Sequence, residues 1–135
     1  MELEGDKCQM FEPSKSLTDL IVWQKAHEFV LEVYKVTRDY PMEERFALCS
    51  QFQRAAVSIP ANIAEGYKKL SKADKLRFLN ISQGSLEECR YYIILSRDLS
   101  YISVKTNNEL TGTLEEVSKL LNSYIRGVMS KQFVE

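Results

Sequence analysis

Hydrophobic residues recur along the chain at the three- and four-residue spacing of amphipathic α-helices, and no segment alternates as a strand does. The first such segment covers residues 20–40, where apolar positions form two neighbouring seams over roughly half of the helix circumference. Thr18 or Asp19 is suited to cap its start. Tyr40-Pro41 ends it, because the residue before a proline disfavours the helical conformation.

Three further helices follow, separated by short connections. Met42-Glu43-Glu44 is predicted to open the second helix, with its acidic residues at the positive end of the helix dipole. Ser71 with Asp74 resembles a capping box for a third helix that runs to about Leu99. Thr106 with Glu109 resembles a second box, which would open the fourth helix. The fourth helix has the apolar seam Leu110, Leu114, Val117, Leu121, Tyr124 and Val128.

These segments predict an all-α protein, an antiparallel up-and-down four-helix bundle. The bundle is expected to be a single domain over residues 18–131, preceded by a flexible tail at residues 1–17. Pro60 lies within the second helix, where it removes a hydrogen-bond donor and crowds the preceding turn, so we predict a kink there. The kink is either a local adjustment beside small side chains, or it bends the helix around a subunit interface or displays Asn62 and the lysines that follow it. Gly66 is predicted to weaken the end of this helix.

The composition is that of a soluble globular domain, with 44% hydrophobic and 27% charged residues. The net charge of −1 does not by itself indicate nucleic-acid binding. The N-terminus has no signal-peptide pattern, and no apolar run approaches the length of a spanning helix, so we expect no membrane association. Three scattered cysteines without a CxxC pair favour a reducing cytoplasm.

Basic residues cluster around the predicted turn between the second and third helices. The cluster consists of Lys68, Lys69, Lys72, Lys75 and Arg77. A solvated turn is the simplest interpretation, since Glu65 can pair with Lys69 four residues later. However, Lys72 and Lys75 fall in the first turn of the third helix, where the dipole disfavours cations. This placement raises the prospect of an anionic partner such as RNA.

The chain lacks the residue sets that bundle enzymes use. Di-iron bundles need two Glu-x-x-His motifs, whereas His27 is the single histidine and Gln24 stands three residues before it. Cys49 and Cys89 fall in apolar patterns, which predicts buried, inert thiols rather than a nucleophile paired with histidine. There is no phosphate-binding loop and no zinc-ligand cluster. We therefore predict no enzymatic activity, no cofactor and no metal.

Three blocks in order, DLIVWQKAHEFVLEVYKVTRDYP, SQFQRAAVSIPANIAEGYKK and FLNISQGSLEE, closely resemble the four-helix-bundle family of 23S ribosomal RNA intervening-sequence proteins, from about Asp19 to Leu121. The resemblance implies a ring-like homopentamer whose biochemical role is not established. A related branch serves diversity-generating retroelements and contacts a reverse transcriptase and RNA, but that branch is markedly basic. The resemblance therefore implies a self-associating scaffold, with RNA binding through the lysine cluster as the alternative.

The positions that fit the family pattern are Trp23, Arg54, Ser58, Pro60, Asn62, Glu65, Gly66, Gly84, Ser85 and Glu88. The chain departs from the pattern at Cys89 and Arg90, where a leucine and an acid are preferred, and at Ala47, where a glycine is usual. The resemblance favours an interface role for Arg54, Glu65, Arg77 and Glu88, which would form ion pairs between helices or between subunits.

Overall fold

The computed structural model describes residues 16–131, and within this range it contains long α-helices and no strand. The helices are α1 (Ile21–Thr37), α2 (Leu48–Lys68), α3 (Lys72–Asp98) and α4 (Val104–Ser130). Short 3-10 helices at Leu17–Asp19 and Met42–Glu44 precede α1 and α2. The tail predicted for residues 1–17 lies outside the described residues except for its last two positions.

Each helix packs against its neighbours in chain order, and α4 closes the arrangement against α1. Adjacent helices run in opposite directions. Gln83 of α3 contacts Asn122 of α4, whereas Arg90, farther along α3, contacts Glu115, earlier in α4. The predicted antiparallel up-and-down four-helix bundle is therefore confirmed. The α2–α3 pair makes the most extensive contact of the bundle.

The start of α3 agrees with the predicted capping box, because the Oγ of Ser71 accepts a hydrogen bond from the Asp74 N–H at 3.1 Å. The predicted start of α4 was wrong. Ser103 caps it, accepting from the Thr106 N–H at 3.0 Å, so Thr106 lies inside the first turn. Both serines have the extended backbone of an N-cap residue, which frees the side chain to reach back over the first turn.

The starts of the first two α-helices also differ from the predictions. Thr18 and Asp19 belong to the 3-10 helix, in which the Ser16 N–H donates to the Asp19 carboxylate at 3.2 Å, and α1 begins only at Ile21. Met42–Glu44 is likewise a separate 3-10 helix, so α2 begins at Leu48 rather than at the acidic residues. In both places a tight turn precedes the α-helix and takes up the capping residues.

One continuous core fills the bundle, and every helix contributes to it. Its fully buried side chains include Phe29, Val33, Phe52, Ile59, Ile63, Leu79, Leu114, Val117 and Leu121. The predicted α4 seam is buried throughout apart from Tyr124, which packs partly buried against the core. A second, smaller cluster around Tyr40 and Cys49 covers the end of the bundle where α1 meets α2.

Pro60 is buried within α2, and the helix continues through it. Beside the proline, the Oγ of Ser82 in α3 donates a 2.8 Å hydrogen bond to the carbonyl of Ile59. The kink at Pro60 stays a prediction. Gly66 has a packing role, because a Cβ there would lie 3.2 Å from the Lys75 carbonyl oxygen and force the first turns of α3 outward. The α2–α3 turn can therefore be tight.

None of the helices in residues 16–131 combines the length and apolar character that a membrane span requires.

Candidate interaction surfaces

The lysine cluster lies at the end of the bundle where α2 and α4 end and α3 begins. The Nζ of Lys75 donates to the carbonyls of Tyr67 at 2.9 Å and Gly66 at 3.3 Å, both in the last turn of α2. The Nζ of Lys72 donates to the Met129 carbonyl in the last turn of α4 at 2.9 Å. These lysines therefore bind the negative ends of neighbouring helices.

This geometry corrects the dipole argument made from sequence. In an antiparallel bundle the N-terminus of α3 adjoins the C-termini of α2 and α4, whose unpaired carbonyls attract cations. Lys72 and Lys75 belong to α3 but stabilise its neighbours, so their position does not require an anionic partner. Burial lowers the pKa of Lys75, and repulsion from Lys131 lowers it further.

The other basic residues of the cluster are more exposed. Lys69 pairs with Glu65 at 3.8 Å, as predicted, and its Nζ lies 5.1 Å from the centre of the Phe78 ring. Arg77 pairs with Asp74 at 3.4 Å and stacks over the same ring. Lys68 is exposed and makes no hydrogen bond or ion pair with the described part of the chain. An anionic ligand in solution can therefore reach Lys68, Lys69 and Arg77.

Ser58, Asn62 and Ser85, from the family pattern, form one hydrogen-bonded group on the outer side of the α2–α3 contact. The Oγ of Ser85 donates to the Oγ of Ser58 at 2.7 Å. The Nδ2 of Asn62 donates to the Ser58 Oγ at 3.0 Å and to the Ser58 carbonyl at 2.9 Å. This group joins the two helices beside Pro60. Packing within one chain is therefore sufficient to explain why these three residues fit the family pattern.

The four charged residues predicted to pair do not pair with one another within residues 16–131. Glu65 and Arg77 have the local partners described above, and the Glu88 carboxylate accepts a 2.8 Å hydrogen bond from the Tyr92 hydroxyl. Arg54 is exposed on α2 and has no carboxylate partner in the described chain. Ion pairing of these residues between subunits stays a prediction.

Two further pattern positions lie at the surface. Trp23 is half-buried on α1 and stacks on His27, with ring centres 5.2 Å apart and the planes nearly parallel. Gly84 lies on the outer side of α3, where a Cβ would meet no atom within 4 Å. Unlike Gly66, it has no steric role inside its own chain.

A groove between α1 and α2 was missed by the sequence analysis, and we call it the arginine groove. Two cavities of about 660 and 480 Å³ form it and share Tyr34, Ser50 and Gln53. Arg38, Arg45 and Arg54 line it, and neither cavity is lined by a lysine or an acid. Its other lining residues are Thr37, Tyr40, Pro41, Met42, Phe46, Cys49, Val57, Ser58, Ala61 and Asn62. The sequence feature that could have indicated this groove is Phe46, a large aromatic residue that lies outside every apolar seam.

Comparison with known proteins identifies the family. The family model described as "23S rRNA-intervening sequence protein" matches residues 18–123. The chain belongs to this family. A crystal structure from Bacteroides thetaiotaomicron, of a protein of unknown function from the S23 ribosomal protein family, is similar with a TM-score of 0.73 and 29% identity. The alignment covers 78% of this chain and 96% of that chain. A search of the curated proteins finds no match.

The resemblance found from the sequence is thus confirmed for this intervening-sequence family member. A groove of about 860 Å³ between α1 and α4 contains Glu32. The Oε2 of Glu32 accepts a 3.1 Å hydrogen bond from Thr113, whereas Oε1 is buried and has no hydrogen-bond partner among residues 16–131. Burial is the main cause of a raised pKa for this carboxyl. The described residues contain no group of His, Cys, Asp and Glu side chains suited to a metal ion.

The two described cysteines of this intervening-sequence protein are buried free thiols. Burial raises the pKa of both Cys49 and Cys89, which keeps them in the protonated, weakly nucleophilic form. His27, the other member of the nucleophile pair considered from sequence, is exposed and stacked on Trp23. The environment of these thiols is that of packing residues.

Proposed function

We propose that this chain is a non-enzymatic scaffold of the cytoplasm that acts as a ring-like homopentamer. The observation that carries the proposal is the amount of apolar surface that the chain leaves open. Phe46 is 86% exposed and Met42 77%, while Leu31 on α1 and Tyr91 on α3 are more than half exposed. Met42 and Phe46 line the same cavity, and apolar side chains clustered at a surface often mark a protein interface.

Two further considerations support the proposal. The family resemblance implies a ring of five copies. The two described cysteines are buried thiols of raised pKa, as expected of packing residues in a scaffold.

Light scattering coupled to gel filtration tests self-association directly. Over a micromolar concentration range, the expected mass is five times the chain mass of 15.6 kDa. A mass equal to one chain throughout this range would refute the scaffold proposal. A stable mass other than the pentamer would retain self-association and correct the number of copies.

RNA binding is the second candidate. It is favoured by the exposed Lys68, which has no hydrogen-bond or ion-pair partner within residues 16–131, together with the accessible Lys69 and Arg77. Five copies of a weak basic site in one ring would raise the apparent affinity through multivalency. The test is titration of a labelled structured RNA at several salt concentrations, since binding to phosphates weakens steeply with salt.

A triple variant with glutamine at these three positions is expected to lose RNA affinity, because it removes the proposed phosphate contacts. Its fold should be retained, because the changes avoid the lysines that cap α2 and α4. A matched variant with glutamine at Lys35, Lys105 and Lys119, which are exposed outside the lysine cluster, removes the same three charges and controls for nonspecific effects of altered charge. Affinity that does not depend on salt, or that survives the triple change, would reject this role.

A further inference from the structure

We propose that copies of this chain join head to tail, with the arginine groove of one copy receiving the outer face of α3 of the next. We call that outer face the α3 ridge and define it as Ile81, Gly84, Glu87, Glu88, Tyr91 and Ile94. The inference rests on the proposed self-association and adds which surfaces meet and with what symmetry.

The arginine groove has the composition of a protein-binding surface. Protein interfaces are enriched in aromatic residues, methionine and arginine and depleted in lysine and acidic residues. The groove contains Tyr34, Met42, Phe46 and its three arginines, and it lacks lysine and acidic side chains. Within residues 16–131 these arginines have no carboxylate partner, so the groove is a positive surface with apolar walls. Its occupant should be an acidic ridge with apolar side chains.

The α3 ridge has those properties. Ile81, Tyr91 and Ile94 are exposed large hydrophobic residues, and Tyr91 is 56% exposed. Glu87 and Glu88 lie among them, both exposed. Glu88 accepts a hydrogen bond from Tyr92 but has no cationic partner in the described chain. Glu87 pairs with Arg90, which also binds Glu115, so acidic groups outnumber the arginine they share.

Gly84 provides the shape for this contact. It lies between the exposed apolar residues of the ridge, and a Cβ there would meet no atom of its own chain. A glycine at the centre of the ridge lets a neighbouring backbone or aromatic side chain approach α3 closely. Gly112 of α4 is equally open, so it is the position of Gly84 among the exposed apolar and acidic residues of the ridge that assigns it to the contact.

The charges select which surfaces meet. Two arginine grooves facing each other would bring positive surfaces together, and two ridges would bring carboxylates together, so both of these contacts are disfavoured. A groove paired with a ridge brings opposite charges together. A two-fold pair in which each groove takes the other copy's ridge stops at two copies, whereas in the proposed ring the groove and the ridge of one copy contact two different neighbours. The assembled mass distinguishes the two arrangements. We place Arg54 opposite Glu88.

Charge reversal tests the pairing. By light scattering, Arg54→Glu and Glu88→Arg are each expected to fall to the monomer mass at a concentration where the unmodified chain is assembled. The double variant, with both changes in one chain, is expected to recover the assembled mass because the pair is restored in reverse. Circular dichroism on every variant establishes that the monomers are folded.

Gly84→Arg blocks the ridge without a clash inside the chain, and Gly112→Arg on α4 is its matched control, since a Cβ at Gly112 also meets nothing within 4 Å. The first is expected to be monomeric and the second assembled. Mixing Arg54→Glu with Gly84→Arg should produce a one-to-one dimer, because the first keeps its ridge and the second keeps its groove.

The outcomes separate the two proposals. A monomeric unmodified chain rejects self-association itself. An assembled unmodified chain with an unchanged mass in both Arg54→Glu and Gly84→Arg leaves self-association standing and overturns the groove-to-ridge contact. If Arg54→Glu stays assembled but loses affinity for the labelled RNA, the groove binds nucleic acid and the contact is likewise overturned.

Discussion

Replacing Lys75 with methionine should destabilise the bundle, whereas the same replacement at Lys68 should not. Methionine keeps most of the aliphatic stem of lysine but removes the ammonium. At Lys75 the change removes two hydrogen bonds to the last carbonyls of α2, at 2.9 and 3.3 Å. At Lys68 it removes a charge that contacts nothing in the described chain.

The expected size follows from these contacts. A hydrogen bond to a charged group contributes about 1.5–3 kcal/mol, and a cation at a helix C-terminus about 0.3–1 kcal/mol. The Lys75 site is partly buried, and the lowered pKa indicates that desolvation offsets some of this gain. A net loss of about 1–2 kcal/mol remains, which corresponds to about 4–8 °C in Tm for a domain of this size.

Lys72 lies between these cases, because its single bond to the Met129 carbonyl is in an exposed position. Stability should therefore decrease in the order Lys68→Met, Lys72→Met, Lys75→Met. Urea unfolding followed by circular dichroism measures the differences, with all variants at one protein concentration because assembly contributes to stability.

The three changes remove the same charge, so an effect of net charge alone would be equal in all of them. Equal destabilisation, or a Lys75→Met variant as stable as the unmodified chain, would refute the conclusion that these lysines cap neighbouring helices. Their presence at the start of α3 would then again favour an anionic partner.

Three further predictions concern single residues. Gly66→Ala should be less stable than Gly112→Ala in urea unfolding, because only the first places a Cβ 3.2 Å from a backbone oxygen, while both gain about 1 kcal/mol in helix propensity. Glu32→Gln should raise Tm at pH 7. The folded-state pKa of this carboxyl is raised, so its contribution to stability is present below the unfolded pKa and is lost as pH rises and the buried group ionises. The gain in Tm of the glutamine variant over the unmodified chain should therefore shrink towards pH 4. A gain that does not depend on pH would contradict this. Burial, together with the hydrogen bond to Glu88, raises the pKa of Tyr92 to about 12, so stability should fall as pH rises from about 10 towards that value, less steeply in Tyr92→Phe.

The helices and the bundle were predictable from the sequence, because both depend on a periodic pattern of apolar residues that is local and easily recognised. The α4 seam from Leu110 to Val128 was predicted and lies against the core as expected. Ser71 was recognised as a cap because its partner, Asp74, is three residues away. The family was recognised for a similar reason, since its motifs are contiguous blocks of residues.

Helix starts were less accurately predicted where two capping signals compete within a few residues. Ser103 and Thr106 both have side chains suited to an N-cap, and Ser103 takes the role in the structure. Similarly, the acids after Pro41 have the composition of a first α-helical turn but form a 3-10 helix. Such choices differ by small energies and depend on how the preceding chain enters the bundle.

The partners of the lysines at the start of α3 became evident only in the folded bundle. Lys75 binds carbonyls eight and nine residues earlier in the chain, and Lys72 binds one at the far end of α4, so neither contact follows from local spacing. The arginine groove likewise forms only when α1 and α2 pack side by side. A pattern along one helix shows which face is buried, but the partners of a long, flexible cation depend on which helix ends the fold brings together.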